Sequence, residues 1–320
     1  MKQAVILSFL SRTRDRFSEY QKERSTREKL EFVKQLPHIS GVEMVFPYET
    51  GDPEETGGRV KELGLEWAAI NVNVKKEQEW VPGALCRPDV ALRGRAVDMI
   101  RRAKDYALAV GAPLVTCCPL SDGYDYLFQV DYPHAWKNLV DSVGKAAAYK
   151  PEMPLHIEYK FSETRVRCLL GSAAQSLLLC KEVDNPSLGV TIDFGHSIYG
   201  HENPAEALCL LAESGFPYYI HTNDNDGRFD WDLAGGNYHF LHYAEFLFYA
   251  REYGYDGYFT TDMSPRIFDM RELFNEHAEM TRLLWDRVSG LDRRLFRELM
   301  AQENTPELLA RVRKEICGLA

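Results

Sequence analysis

Eight short apolar runs punctuate the chain, at residues 4–9, 42–46, 68–72, 114–118, 155–159, 188–193, 218–222 and 258–262. Each is rich in Val, Ile, Leu, Phe or Tyr, and none alternates cleanly between apolar and polar positions. Continuous runs of this length predict strands buried on both faces, as in a parallel sheet. Between them, helical periodicity runs through residues 93–110, 134–149, 173–183, 204–213, 241–253 and 270–286. Gly64, Gly111 and Gly254 each follow a helical stretch, where a left-handed cap is wanted. Strands alternating with helices predict an α/β fold, a (β/α)8 TIM barrel closed by right-handed crossovers. Two further helical stretches follow, at 295–301 and 305–319. The expected organisation is a barrel over residues 1–290 and a helical tail over 291–320. Such a tail either packs on the barrel exterior or crosses to a partner chain.

Composition narrows the function classes. Hydrophobic residues make up 45% and aromatics 12%, enough for a packed core and against disorder. With 38 basic and 48 acidic residues the formal charge is −10, so nucleic acid is not an expected partner, because phosphate contacts need a basic face. No apolar run reaches the ~18 residues of a membrane span, so no membrane association is expected. The apolar start runs into Ser11-Arg12-Thr13-Arg14 without a small-residue cleavage site, which reads as a strand and loop rather than a signal peptide. The seven cysteines are odd in number and contain no C-x-x-C. Several sit inside apolar runs as small buried hydrophobes, Cys117-Cys118 among them, which predicts a reducing, cytoplasmic location.

Barrels of this kind present function at the carboxyl ends of their strands. The fifth run ends in Glu158-Tyr159-Lys160 and the sixth in Asp193-Phe194-Gly195-His196. The seventh ends in His221-Thr222-Asn223 and the eighth in Asp262. Three carboxylates converging on one rim carry more negative charge than a buried site tolerates, and a divalent cation resolves the conflict. Oxygen-rich sites with one or two imidazoles suit Mn2+ or Mg2+, with Co2+ as an alternative. After the seventh run, Asp224, Asp226, Asp230 and Asp232 fall within nine positions. They read either as a solvated loop with Asx turns or as Asp230 and Asp232 chelating a second cation with His196. Spacing leaves both open.

At these residues the chain resembles the xylose isomerase-like superfamily of sugar isomerases and epimerases. Glu158-Tyr159-Lys160-Phe161-Ser162-Glu163-Thr164-Arg165 is similar to the E-P-K-P-x-E-P-R segment of xylose isomerases. Asp193-Phe194-Gly195-His196 occupies the place of their E-x-x-H, Asp230-Trp231-Asp232 that of their D-x-D, and Asp262 that of the last-strand Asp. The chain departs from them at Asp193, which is not Glu, and at His221 with Asn223 in strand seven. Both changes are similar to L-rhamnose isomerases and to ketose epimerases. The second run ends in Phe46-Pro47, without the catalytic His–Asp pair of xylose isomerases.

The resemblance implies one cation held by Glu158, Asp193, His221 and Asp262, and a second, catalytic one held with the help of His196, Asp230 and Asp232. It also implies that Lys160 sits beside a sugar carbonyl oxygen, so Glu158, Lys160, His196 and Asp262 form the expected catalytic set. The expected activity is a divalent-metal-dependent aldose–ketose isomerase using a 1,2-hydride shift between two cations. With one cation, enolisation is the more natural chemistry, Glu158 acting with Asp262 or His196. Two one-metal alternatives stand beside it. One is a lyase similar to the catalytic subunits of C-glycoside deglycosidases, with Mn2+, a 3-oxo-glycoside substrate and a small partner subunit. The other is a ketose epimerase, although those enzymes usually end strand eight with Glu and lack Glu-x-Lys. The aromatic segment at 122–128 reads as a core-packing loop, with an aryl group or a partner as its other reading. The expected substrate is an unphosphorylated small sugar or sugar derivative. Candidate hydroxyl readers are Trp80, Trp136, Asn73, Gln129, Arg165 and His239. The helical tail makes a homo-oligomer the expected assembly.

Overall fold

The apolar runs become eight parallel strands of one closed barrel: β1 (Lys2–Ile6), β2 (Gly41–Phe46), β3 (Glu66–Val72), β4 (Val115–Cys117), β5 (Leu155–Glu158), β6 (Leu188–Asp193), β7 (Tyr218–Thr222) and β8 (Tyr258–Thr261). Each strand pairs with its sequence neighbours, and β1 closes the ring on β8, Lys2 lying opposite Tyr258. This computed structural model describes residues 1–15, 17–163 and 165–319. Thr164 of the isomerase-like segment therefore lies outside the described residues. The first strand is shorter than its apolar run, because Leu7–Leu10 turns into a 3-10 helix. Leu7 and Leu10 are both buried, at the spacing of three that such a turn stacks on one side.

Eight strands are long enough to enclose a filled interior rather than a pore. Its inward positions recur every second residue and are largely polar. Glu43, Asn71, Thr116, His156, Glu158, Thr191, Asp193, His221 and Thr260 are all buried. The hydroxyls of Thr116 and Thr191 meet across the lumen at 2.6 Å. Apolar side chains face outward instead, under the helices. The runs therefore read as apolar without alternating cleanly.

The helices that cover the strands are α1 (Thr26–Val33), α2 (Pro53–Glu62), α3 (Val90–Val110), α4 (Tyr132–Ala148), α5 (Ala173–Val183), the short α6 (Phe194–Tyr199), α7 (Pro204–Ser214), α8 (Phe240–Glu252) and α9 (Met270–Ser289). Side-chain caps fix their starts, except at α8, whose N-cap His239 makes no capping bond. Ser25 and Glu28 form a reciprocal capping box on α1, and Asp52, Asp89, Asp131, Asn203 and Asp269 cap α2, α3, α4, α7 and α9. Each such cap contributes about 1 kcal/mol. Beyond α9, the chain forms α10 (Arg293–Ala301) and α11 (Thr305–Arg311). Phe296 of α10 packs against Phe248 of α8, ring centroids 5.9 Å apart, and Arg293 reaches Glu252 at 2.9 Å. Among the described residues no helix is long and apolar enough to cross a membrane.

The loops above β4 and β5 form a small antiparallel sheet of Gly123–Tyr124, Val166–Cys168 and Ser162–Glu163. A Cβ at Gly123 would lie 2.2 Å from the Arg167 carbonyl, so only glycine allows this crossing. The sheet corrects the reading of the aromatic segment. Asp122 and Gly123 are buried, but Tyr126, Leu127 and Phe128 stand at the surface rather than in the core.

Candidate metal centre

Strands β5 to β8 each bring one donor to the same end of the barrel. The register explains how. Asp193 pairs directly with His221, and Glu158 pairs with Thr191, two residues below Asp193 on the same inward face. Asp262 follows the last residue of β8. Glu158, Asp193, His221 and Asp262 are all buried, and each offers a donor atom within 4.8 Å of the others. His221 Nδ1 lies 3.3 Å from Glu158 Oε1 and 3.7 Å from Asp262 Oδ2. Asp193 Oδ1 accepts the His196 backbone N–H at 2.8 Å, and its Oδ2 accepts the Asn223 amide at 3.1 Å. Asn223 in turn accepts the Gly195 N–H at 2.8 Å. A Cβ on Gly195 would fall 2.1 Å from that amide oxygen, so the brace on Asp193 depends on glycine.

The charges do not balance within the protein. Burial pushes the Asp262 carboxyl well above its usual range, with Asp193 adding to it, and burial raises Asp193 as well. Burial would raise Glu158 too, but the rings of His221 and His196 outweigh it and hold that carboxyl at about 2. Against burial, Glu43 and Glu158 hold the His221 ring protonated well above the usual histidine range. Asp262 Oδ1 is buried without a hydrogen-bond partner, and an orphaned buried acceptor needs a ligand to account for it. Three carboxylates and one imidazole fit a hard divalent cation, which would supply the missing charge and engage that oxygen.

The other expected site residues gather beside this cluster. His196 Nε2 and Lys160 Nζ both reach Asp230 Oδ2, at 3.2 and 2.9 Å. Lys160 also donates to Glu163 at 2.7 Å. Despite burial, Lys160 and His196 pull the Asp230 carboxyl far below the usual carboxylate range. Burial, with Asp230 and Asp262 nearby, pushes Asp232 well above it. The loop therefore folds back onto the barrel instead of standing in solvent, but its first carboxylate is already matched by an ammonium. Among the described residues, the four-donor cluster is the one group of acid, His and Cys donors that converges on a cation-sized space.

A cavity of about 540 Å3 opens above the cluster, walled by Glu158, Lys160, His196, Asp230 and Asp262 on one side and by Asn73, Lys75 and Lys29 on the other. Of the candidate hydroxyl readers only Asn73 lines it. Trp80 is buried in the core, and Trp136 donates to Glu182. Gln129 closes its own loop on Asp125 and Tyr126, and His239 bonds Asp224. Arg165 is exposed away from the cavity. Sequence reading missed Glu43, fully buried in β2 with its carboxylate 3.1 Å from His221 Nε2. Its only signal was one acid inside the apolar run at 42–46.

Comparison with known proteins agrees with this architecture. A family model described as a xylose isomerase-like TIM barrel matches residues 30–284. The uncharacterized protein MJ1311 of Methanocaldococcus jannaschii is 34% identical over 203 residues, 59% of this chain. The chain spans 64% of that relative's length. Among solved structures, a D-tagatose 3-epimerase-like protein superposes with a TM-score of 0.70 at 19% identity, covering 90% of this chain and 98% of that one. The 3-keto-D-glucoside 4-epimerase YcjR of E. coli superposes with a TM-score of 0.65 at 17% identity, covering 89% of this chain and 98% of that one. At such identities the likeness is one of fold.

Proposed function

The chain belongs to the xylose isomerase-like TIM barrel family, and from that premise we propose that it is a one-cation epimerase inverting a carbon next to the carbonyl of a keto sugar. The observation that carries the reading is the four-donor cluster standing beside an Asp230 already paired with Lys160. A two-cation aldose–ketose isomerase would need its second cation near Asp230, where the ammonium sits, and is the weaker reading. That one fold relative is named a 3-keto-D-glucoside 4-epimerase and another a D-tagatose 3-epimerase-like protein supports the choice.

Glu158, Asp193, His221 and Asp262 would hold the cation, for which Mn2+ is our choice. Bound there, it would draw electron density from a carbonyl and make the neighbouring C–H acidic. Glu158 and Asp262 reach the cavity from β5 and from the end of β8. We assign them the proton transfers. The Glu158 carboxylate takes the proton from one face of the carbon, and the C–H electron pair passes into the carbonyl as an enolate. Asp262 delivers a proton to the opposite face, and the carbonyl re-forms. Lys160, held by Asp230 and Glu163, presents positive charge to the cavity wall, where developing negative charge on a sugar oxygen is stabilised.

The test is Mn2+-loaded protein in D2O with a panel of ketohexoses and 3-keto-glucosides, followed by NMR. The expected result is one deuterium at the inverted carbon and one Mn2+ per chain. An aldose product without deuterium would establish hydride-shift isomerisation instead. Loss of the glycosidic substituent would establish the lyase.

A further inference from the structure

We propose that Glu43 is the positioning residue that decides which nitrogen of His221 faces the cation. The inference rests on the reading that the four-donor cluster binds a divalent metal. His221 is fully buried with its ring between two sets of carboxylates. Nε2 faces Glu43 Oε2 at 3.1 Å, while Nδ1 faces Glu158 and Asp262, at 3.3 and 3.7 Å. A neutral imidazole has one N–H and one lone pair, and only the lone pair binds a metal. Which nitrogen keeps the proton is set by the partner of the other.

Glu43 is built to accept that proton's hydrogen bond. Its other two partners both donate to it: the Asn71 amide to Oε1 at 2.8 Å, and the Tyr219 hydroxyl to Oε2 at 2.9 Å. A fully buried carboxylate that already accepts from two donors offers Nε2 an acceptor, which suits an N–H there. The lone pair is then on Nδ1, directed at the cluster. Tyr219 is two residues before His221 on β7, so both side chains point into the lumen. The Tyr219 ring packs edge-on against the imidazole, centroids 5.2 Å apart. A carboxylate behind a ligating histidine also raises the basicity of the nitrogen that binds. Glu43 does not itself line the cavity; of its partners Asn71 does, but Asn71 is not among the four donors, so the effect of Glu43 on the cation passes through His221.

Two measurements test this. Titration calorimetry with Mn2+ compares the parent with Glu43→Gln, which keeps volume but loses charge. Affinity is expected to fall about 10–100-fold, with the far-UV spectrum and the melting temperature in EDTA little changed. In the parent, long-range 1H–15N spectra of 15N-histidine protein loaded with diamagnetic Zn2+ report the tautomer directly, with His221 assigned by its absence in His221→Gln. The expected state has Nε2 protonated and Nδ1 bound. A proton on Nδ1, or a Glu43→Gln affinity within threefold of the parent, overturns the inference while leaving the metal site intact. A parent that binds no cation, or one whose binding survives His221→Gln, overturns the metal reading itself, and the inference with it.

Discussion

Lys160 is the most informative side chain to remove, because its ammonium stands where a second cation would be expected. Lys160→Met keeps the length and most of the volume of the side chain. It deletes the charge 2.9 Å from Asp230 Oδ2, in a pair whose side chains are 9% and 7% exposed. At an effective dielectric of about 20, two unit charges at that separation attract by about 6 kcal/mol. Part of this offsets the cost of burying both ions, and losing one partner of such a pair costs about 3–5 kcal/mol because the other charge is stranded. The contact to Glu163 adds little, since that carboxylate is 41% exposed and screened by water. For 320 residues the loss amounts to about 4–7 °C in melting temperature. Melts in EDTA should show this drop, and excess Mn2+ should reverse it, with two equivalents bound where the parent binds one. His196, Asp230 and Asp232 would then hold the extra ion. A variant that melts with the parent in EDTA, or that still binds a single cation, would refute the idea that the ammonium substitutes for a metal.

Two further predictions concern stability. Asp122 Oδ1 accepts the backbone N–H groups of Ala84, Leu85 and Cys86 at 3.1, 2.8 and 2.7 Å, pinning the loop after β3. Asp122→Ala strands three buried donors and should cost about 3–6 kcal/mol in urea unfolding, whereas Asp122→Asn keeps the accepting oxygen and should cost about 1 kcal/mol; equal losses would show that the loop is held by something else. His277 accepts the Gly235 N–H at 2.8 Å, and burial lowers the pKa of its ring to about 4. The unfolded chain takes up that proton near pH 6.5, so this group's stabilisation is complete above pH 6.5 and is lost as the pH falls to 4. It amounts to about 3 kcal/mol. The parent should lose that much more than His277→Gln across this window in EDTA, and parallel curves would contradict the assignment.

The barrel was legible because helices cover the outside of every strand, so the outward positions had to be apolar. The donors Glu158, Asp193, His221 and Asp262 were legible because they sit at strand ends, where the fold leaves room for chemistry. What the sequence concealed depends on folding back in space. The segment 224–232 reads equally well as solvated or chelating until the Asp224–Leu233 bridge turns it onto the barrel and delivers Asp230 to Lys160. That same contact gives Lys160 two carboxylate partners, which a strand-end lysine does not advertise. Glu43 escaped notice for the opposite reason. It lies mid-strand, where the usual expectation is packing, and only the closed ring brings β2 across the lumen to β7.

All four donors come from β5–β8, the later four strands of the barrel, whereas much of the rest of the cavity wall comes from loops after β1, β2 and β3. Heritable variation can therefore act on the two halves at different rates. Substitutions in the early loops would alter which molecule fits while leaving the four donors in place, Lys75 excepted because its charge acts on Glu158. Substitutions in the late strands strike the chemistry itself. On the proposed function, a lineage built this way would change its substrate while keeping its reaction, and recombining β1–β4 of one member with β5–β8 of another is the natural way to engineer it. The constraint on such chimeras is the pair formed by Glu43 and His221, which would have to be inherited together.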